Sequence, residues 1–361
     1  MKCSTLITIS SLILILLSYV YYNKINLTYT EPPPENLPKL SCKKINYSRL
    51  MEDFVKVDDN NIIACGASFS DLYQKYSIYN PGYQLEQGNL ILFDLKKEQP
   101  KNLEIKNFPE NTNFFPHGMK LYKNKYIYVI NHGLNSVDGE KIEIFEIIKQ
   151  KNDIKYLNYV KSIKLPDEFI SATNGLAVVD EEDIFFSTSF SVPPPPTDKA
   201  NFFSKNLFYL AEFFKIYLNL RMTYLYHYKN GIIKKVENSK SYGDNGVAYD
   251  EVSNLLFLAQ THEKIIRVYK YEKNGEIKFV KDIYIGYKID NLIFDEKNRI
   301  LNAAISGTGG YGGLAEIYPD NNFEIKIPFY DIINVVSASA MKIKRKVYVV
   351  SPIAKYLLSC E

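Results

Sequence analysis

The chain contains no tryptophan, four histidines and four cysteines in 361 residues. Neither sign of charge is in excess. The 44 basic residues are spread among 41 acidic ones for a net charge of +3, so there is no basic footprint for nucleic acid. Scarce thiolates and imidazoles leave carboxylates and amide side chains as the main ligand-bearing groups. Without tryptophan, the 14% aromatic content rests on 30 Tyr and 21 Phe, which suits a β-rich protein.

Only one stretch is long and apolar. Residues 5–22, TLITISSLILILLSYVYY, run eighteen positions without a charge, between Lys2 and Lys24. That length is near the lower limit for a membrane span and long for the core of a signal peptide. With no small-x-small cleavage pattern before Asn23, it reads as an uncleaved signal anchor, with a cleaved signal as the alternative. The expected organisation is an anchor over 1–24, a linker over 25–40 containing Pro32-Pro33-Pro34, and one globular unit over 41–361. Entry into the secretory pathway would make Asn26 and Asn46, each in an Asn-x-Ser/Thr triplet, glycosylation acceptors. Cys42 opens the globular part and Cys360 is its penultimate residue. A disulfide between them would tie the two ends of the fold together. Cys65, in the run Ile62-Ile63-Ala64-Cys65, is expected to sit as a small buried hydrophobe.

From about residue 50 onward the sequence repeats one unit: a polar residue, a small or polar residue, an apolar strand, a turn and a second apolar strand. The units begin near Glu52-Asp53, His117-Gly118, Asn174-Gly175, Asn245-Gly246, Asp290-Asn291 and Ser337-Ala338. Further strand pairs lie between them, and four strands per unit at this spacing predict an all-β, six-bladed β-propeller. The one interruption is residues 200–220, ANFFSKNLFYLAEFFKIYLNL, after Pro193-Pro194-Pro195-Pro196. Its period is that of an amphipathic helix inserted among the blades. It would serve as a lid over the propeller mouth or lie in a lipid interface.

In a propeller the first strands of all blades surround one channel, so their starts converge. Here they bring together Glu52/Asp53, His117, Asn174, Asn245 and Asp290/Asn291. Carboxylates with amide oxygens are ligands for a hard cation, Ca²⁺ before Zn²⁺. Each Asn-Gly taken alone is a turn. Five such elements at the same point of a repeat favour a ligand ring. His117 and His132 close a predicted hairpin around Asn124 and would lie side by side, as strand caps or as a proton-relaying pair.

These elements in this order resemble the serum paraoxonase/arylesterase family, calcium-dependent six-bladed propeller lactonases and esterases. The resemblance runs through Glu52-Asp53, Asn80-Pro81-Gly82, residues 88–95 (GNLILFDL), Pro116-His117-Gly118, Asn131-His132, Asn245-Gly246, Asp290-Asn291 and the final Leu358-Ser359-Cys360-Glu361. It implies that Glu52, Asn174, Asn245, Asp290 and Asn291 ligate a catalytic Ca²⁺. It also implies that His117, assisted by His132, activates water against an ester or lactone carbonyl. A second, structural Ca²⁺ would use Asp53 and the Met119 carbonyl. The family carries an Asp directly after the Asn of the Asn174 position, where this chain has Gly175, so that second site is in doubt. The family's histidine in the fifth unit is also replaced, here by Ile305-Ser306. The family includes membrane-anchored members that assist the assembly of membrane proteins without required catalysis. A client-binding role is therefore the alternative to hydrolysis. The anchor and the helix of residues 200–220 would be the contacts with lipid.

Overall fold

The computed structural model describes residues 36–67, 87–110, 112–132, 139–151, 153–169, 172–190, 220–272, 275–307, 310–333 and 336–361. It also describes isolated positions before 36 and between 207 and 218. The anchor, Asn26, Asn80-Pro81-Gly82 and most of the inserted helix lie outside these residues. Among the described residues, no helix is long and apolar enough to cross a membrane.

Among the described residues, twenty-five strands form six sheets. The chain begins with β1 (Cys42–Asn46) and then builds blade one from β2 (Met51–Lys56), β3 (Asn61–Gly66), β4 (Asn89–Asp94) and β5 (Gln99–Asn102). Blade two comprises β6 (Ile105–Lys106), β7 (Pro116–Tyr122), β8 (Tyr126–Asn131), β9 (Lys141–Gln150) and β10 (Asp153–Lys164). Its fifth strand, β6, adds in parallel to the outer edge of β10, an addition to the four-strand repeat that two residues of sequence do not announce. Blade three holds β11 (Thr173–Asp180), β12 (Asp183–Thr188), β13 (Leu225–Lys229) and β14 (Ile232–Lys235). Blade four holds β15 (Asp244–Asp250), β16 (Leu255–Gln260), β17 (Ile265–Tyr271) and β18 (Ile277–Tyr284). Blade five holds β19 (Ile289–Asp295), β20 (Ile300–Ser306), β21 (Tyr311–Tyr318) and β22 (Glu324–Ile332). Blade six takes β23 (Ser339–Ile343), β24 (Lys346–Val350) and β25 (Tyr356–Cys360) from the C-terminus and β1 from the other end of the chain.

The expected six-bladed propeller is therefore present, and its ring is closed by β1 pairing antiparallel with β25. Cys42 faces Cys360 in that register, and the two form a disulfide. Six hydrophobic clusters form the core, and each fills the wedge between two neighbouring blades. The wedges are apolar because alternate residues of every strand point into them, as the period of two requires. The inner strands β2, β7, β11, β15, β19 and β23 touch in that order around the axis.

The β7–β8 hairpin turns at Lys123 and Asn124, with φ near +50° at both. That is the left-handed turn whose twist matches the strands, and asparagine tolerates it. Of the inserted helix, positions 207, 210–212 and 215 are helical. Leu207 and Leu210 are exposed, whereas Lys215 is buried and donates from Nζ to the Ser189 carbonyl at 2.7 Å. A basic residue of this segment is thus turned inward.

Candidate active site

Five of the six inner strands share one departure from a regular ladder. The pairing skips between Met51 and Phe54, Pro116 and Met119, Thr173 and Leu176, Asp244 and Val247, and Ile289 and Leu292. Each gap is a β-bulge in which two residues oppose one on the next strand. The two residues are Glu52-Asp53, His117-Gly118, Asn174-Gly175, Asn245-Gly246 and Asp290-Asn291. Bulges re-aim side chains, and these five re-aim the residues expected to converge.

Glycine at the second bulge position has a steric reason. A Cβ at Gly118 would lie 2.1 Å from the Asn174 carbonyl oxygen, and one at Gly175 would lie 2.7 Å from both the Asn245 oxygen and the Val247 nitrogen. A Cβ at Gly246 would lie 2.3 Å from the Leu292 nitrogen. Each glycine lets one inner strand press against the next. The ring is narrow because these positions carry no side chain.

Glu52, Asn174, Asp290 and Asn291 are buried at the ring, with Asn245 half-buried. Asn291 Nδ2 donates to the Glu52 carbonyl at 3.2 Å, and the Asn245 side chain hydrogen-bonds the Asp290 carboxyl. Burial holds the Glu52 carboxyl well above the usual carboxylate range, reinforced by the charges of Asp290 and Asp53. Burial likewise raises Asp290. Asn174 Oδ1, Asn245 Oδ1 and Asp290 Oδ1 are buried without a hydrogen-bond partner among the described residues. Buried acceptors are nearly always satisfied, so three of them in one ring call for a shared electropositive partner. Among the described residues, no three His, Cys, Asp or Glu side chains form a metal site by themselves. An ion here must draw on amide oxygens, as a hard oxygen-seeking cation does. The donor set of Glu52, Asn174, Asn245, Asp290 and Asn291 fits Ca²⁺.

Beside the ring, the His117 and His132 rings lie 4.8 Å apart between centroids, tilted by 44°. Both are buried. Burial, followed by the charge of His132, holds His117 well below the ordinary histidine value. His132 Nδ1 sits 2.8 Å from Glu140 Oε1, and Thr173 Oγ1 donates to the same oxygen. Strand-end capping is carried out by the neighbouring Asn131, which accepts from the Phe115 N–H and donates to Glu143 and to the Asn113 carbonyl. Glu140 was not singled out in the sequence. Its only signal is its place one residue ahead of β9, the strand that pairs with β8, whose last residue Asn131 precedes His132.

Asp53 and Met119 are placed differently. The Asp53 carboxylate accepts from Ser339 Oγ at 2.6 Å and the Phe54 N–H at 2.8 Å on Oδ1, and from the Met119 N–H at 2.9 Å on Oδ2. Cys65 is buried as expected, but it also has a polar role. Its sulfur accepts from the Asp53 N–H at 3.1 Å and donates to the Asp53 carbonyl at 3.3 Å. In blade three Ser187 stands at the same point opposite the bulge, accepting from the Gly175 N–H at 3.0 Å and donating to the Asn245 carbonyl.

The chain has relatives. Human serum paraoxonase/lactonase 3 is 26% identical over 244 residues, covering 66% of this chain and 62% of that protein. The match thus spans less than two thirds of the length of that relative. Serum paraoxonase/arylesterase 2 from dog is 22% identical over 276 residues, covering 73% of this chain and 69% of that one. Among solved structures, a luciferin-regenerating enzyme superimposes with a TM-score of 0.51 at 9% identity, covering 89% of this chain and 95% of that one. A gluconolactonase from Xanthomonas campestris does so with a TM-score of 0.50 at 12% identity, covering 90% of each. These two show the propeller fold alone. The family model for arylesterases matches residues 52–305, from the first ring carboxylate to the second strand of blade five, and the chain belongs to the arylesterase family.

Proposed function

We propose that the protein is a carboxylic-ester hydrolase acting on aryl esters and lactones, with one Ca²⁺ held by Glu52, Asn174, Asn245, Asp290 and Asn291. The observation that carries this reading is the ring of buried, unsatisfied oxygens directly beside a buried histidine pair. Bound there, the cation would supply Lewis-acid stabilisation of the negative charge that develops on the carbonyl oxygen. His117, kept neutral by its surroundings, takes a proton from the attacking water. The water oxygen bonds to the carbonyl carbon, and the alkoxide or phenoxide leaves with a proton. Glu140 fixes His132 through Nδ1, so the proton exchanged with His117 is the one at Nε2. Thr173 holds Glu140 in place for this task.

The disulfide supports passage through an oxidising secretory compartment, with residues 5–22 as a membrane anchor and the helix of residues 200–220 at the lipid surface. Asn46, exposed at the end of β1, is proposed as a glycosylation acceptor on the same grounds.

The test is an assay of the purified chain on phenyl acetate and on γ- and δ-lactones, with and without a chelator. Hydrolysis that disappears on chelation and returns with Ca²⁺ is the expected result. His117→Gln should lower turnover by about 10²–10⁴ while Ca²⁺ binding persists. Unchanged turnover in that variant would remove His117 from the mechanism.

A further inference from the structure

Resting on the ring described above, we propose that the propeller is a one-cation protein. The position below the ring, where a second ion would lie, is filled by the chain's own donors: the Ser339 hydroxyl and the Phe54 and Met119 N–H groups.

The donor count excludes a second calcium there. Ca²⁺ takes six to eight oxygens. Asp53 is the one carboxylate at this level, and it already accepts three hydrogen bonds at 2.6–2.9 Å. The resemblance places the further side-chain ligand of such a site at position 175. That residue is glycine, and even a Cβ there would collide with backbone atoms of β15 at 2.7 Å. Its N–H and the facing Asn245 carbonyl are instead bridged by Ser187. Inserting a ligand at 175 would require the two inner strands to separate.

Lys120, on β7 one residue beyond Met119, lines a cavity of about 390 Å³ at the far end of the channel, with Phe54, Leu292 and Met341. Ser339 comes from β23, the inner strand of the sixth blade. The same substitution of protein donors for an ion therefore ties blade six to blade one.

The experiment is a count of bound ions on the full chain. Calcium per chain is measured by elemental analysis after gel filtration, and terbium binding is followed by tyrosine-sensitised luminescence. One equivalent is expected for the wild type. Glu52→Gln should abolish it. Ser339→Ala and Asp53→Asn should each retain one equivalent and melt at lower temperature. Two equivalents in the wild type, or a fall from two to one in Asp53→Asn, would overturn the proposal while leaving the ring intact. No bound ion at all would overturn the ring and this proposal together. Ser339→Ala removes a single hydroxyl, so it keeps the test decisive should Asp53→Asn not fold.

Discussion

Blades one to five and blade six share a four-stranded sheet, to which blade two adds β6, but differ at the start of the inner strand. In the first five, the strand opens with a bulge that turns two residues toward the axis, and these residues form the ring. In β23 the register runs unbroken from Ser339–Val350 to Ile343–Lys346. No ring residue comes from this blade. Its tasks are closure, through β1, β25 and the disulfide, and the support of Asp53 by Ser339. The protein thus separates the blade that closes the circle from the blades that carry the site. A bulge sacrifices ladder hydrogen bonds to aim side chains. The blade assembled from two distant chain segments keeps its ladder whole.

The comparison can be broken most directly at a bulge glycine. Gly246→Val places a side chain against the β19 backbone, where only 2.3 Å separates a Cβ from the Leu292 nitrogen. These neighbouring atoms are β19 backbone, which cannot give way, so a loss of about 3 kcal/mol or more is expected. Its counterpart in the regular blade, Ser337→Ala, removes one hydrogen bond to the Gly313 carbonyl and should cost about 1 kcal/mol. Equal losses by thermal denaturation would erase the distinction between the blades.

Closure is tested next. Replacing Cys42 and Cys360 together by serine should cost about 2–5 kcal/mol, because the bridge restrains a separation of 318 residues in the unfolded chain. Calcium affinity and KM should stay as they are, since blade six gives nothing to the ring. A parallel loss of ion binding would show that closure and site are not separate.

The smallest effect concerns pH. Burial, aided by the charge of His132, holds His117 below the ordinary histidine value of 6.5. The base works in its neutral form, so activity persists above its pKa and is lost as pH falls through it. The acid limb of kcat/KM should therefore lie below 6.5. His132→Gln removes the neighbouring charge and should move that limb upward. A limb that stays in place would show that His132 does not set the basicity of His117.

Much of this architecture was legible without coordinates, because it follows from local pattern. The alternation of apolar strands with Asp-, Asn- and Lys-rich turns specifies blades. The recurrence of a polar residue before glycine marks the bulges. The two cysteines at the ends of the globular unit mark its closure. Asn124 at the β7–β8 turn could be read because a left-handed turn has its own residue preference. In contrast, Glu140, Thr173, Ser187, Ser339 and Lys120 carry no mark in the sequence. Each is an ordinary residue type in an ordinary strand or turn, and its partner lies between 12 and 286 residues away for Ser187 and Ser339.

By itself, then, the sequence determined the number of blades, the ends that join and the polar residues at the strand starts. These are set by side-chain periodicity and turn chemistry over a few neighbouring positions. The tertiary structure alone decided that Asp53 accepts three hydrogen bonds from the chain, that position 175 has no room for a carboxylate, and that Cys65 binds backbone rather than merely filling space. It also decided that Glu140 stands behind the histidine pair. Those outcomes depend on how closely six separate inner strands approach one axis, a distance set by packing among all the blades at once. Within that ring, His117 and His132 changed from two strand-end histidines into a buried pair 4.8 Å apart beside unsatisfied oxygens.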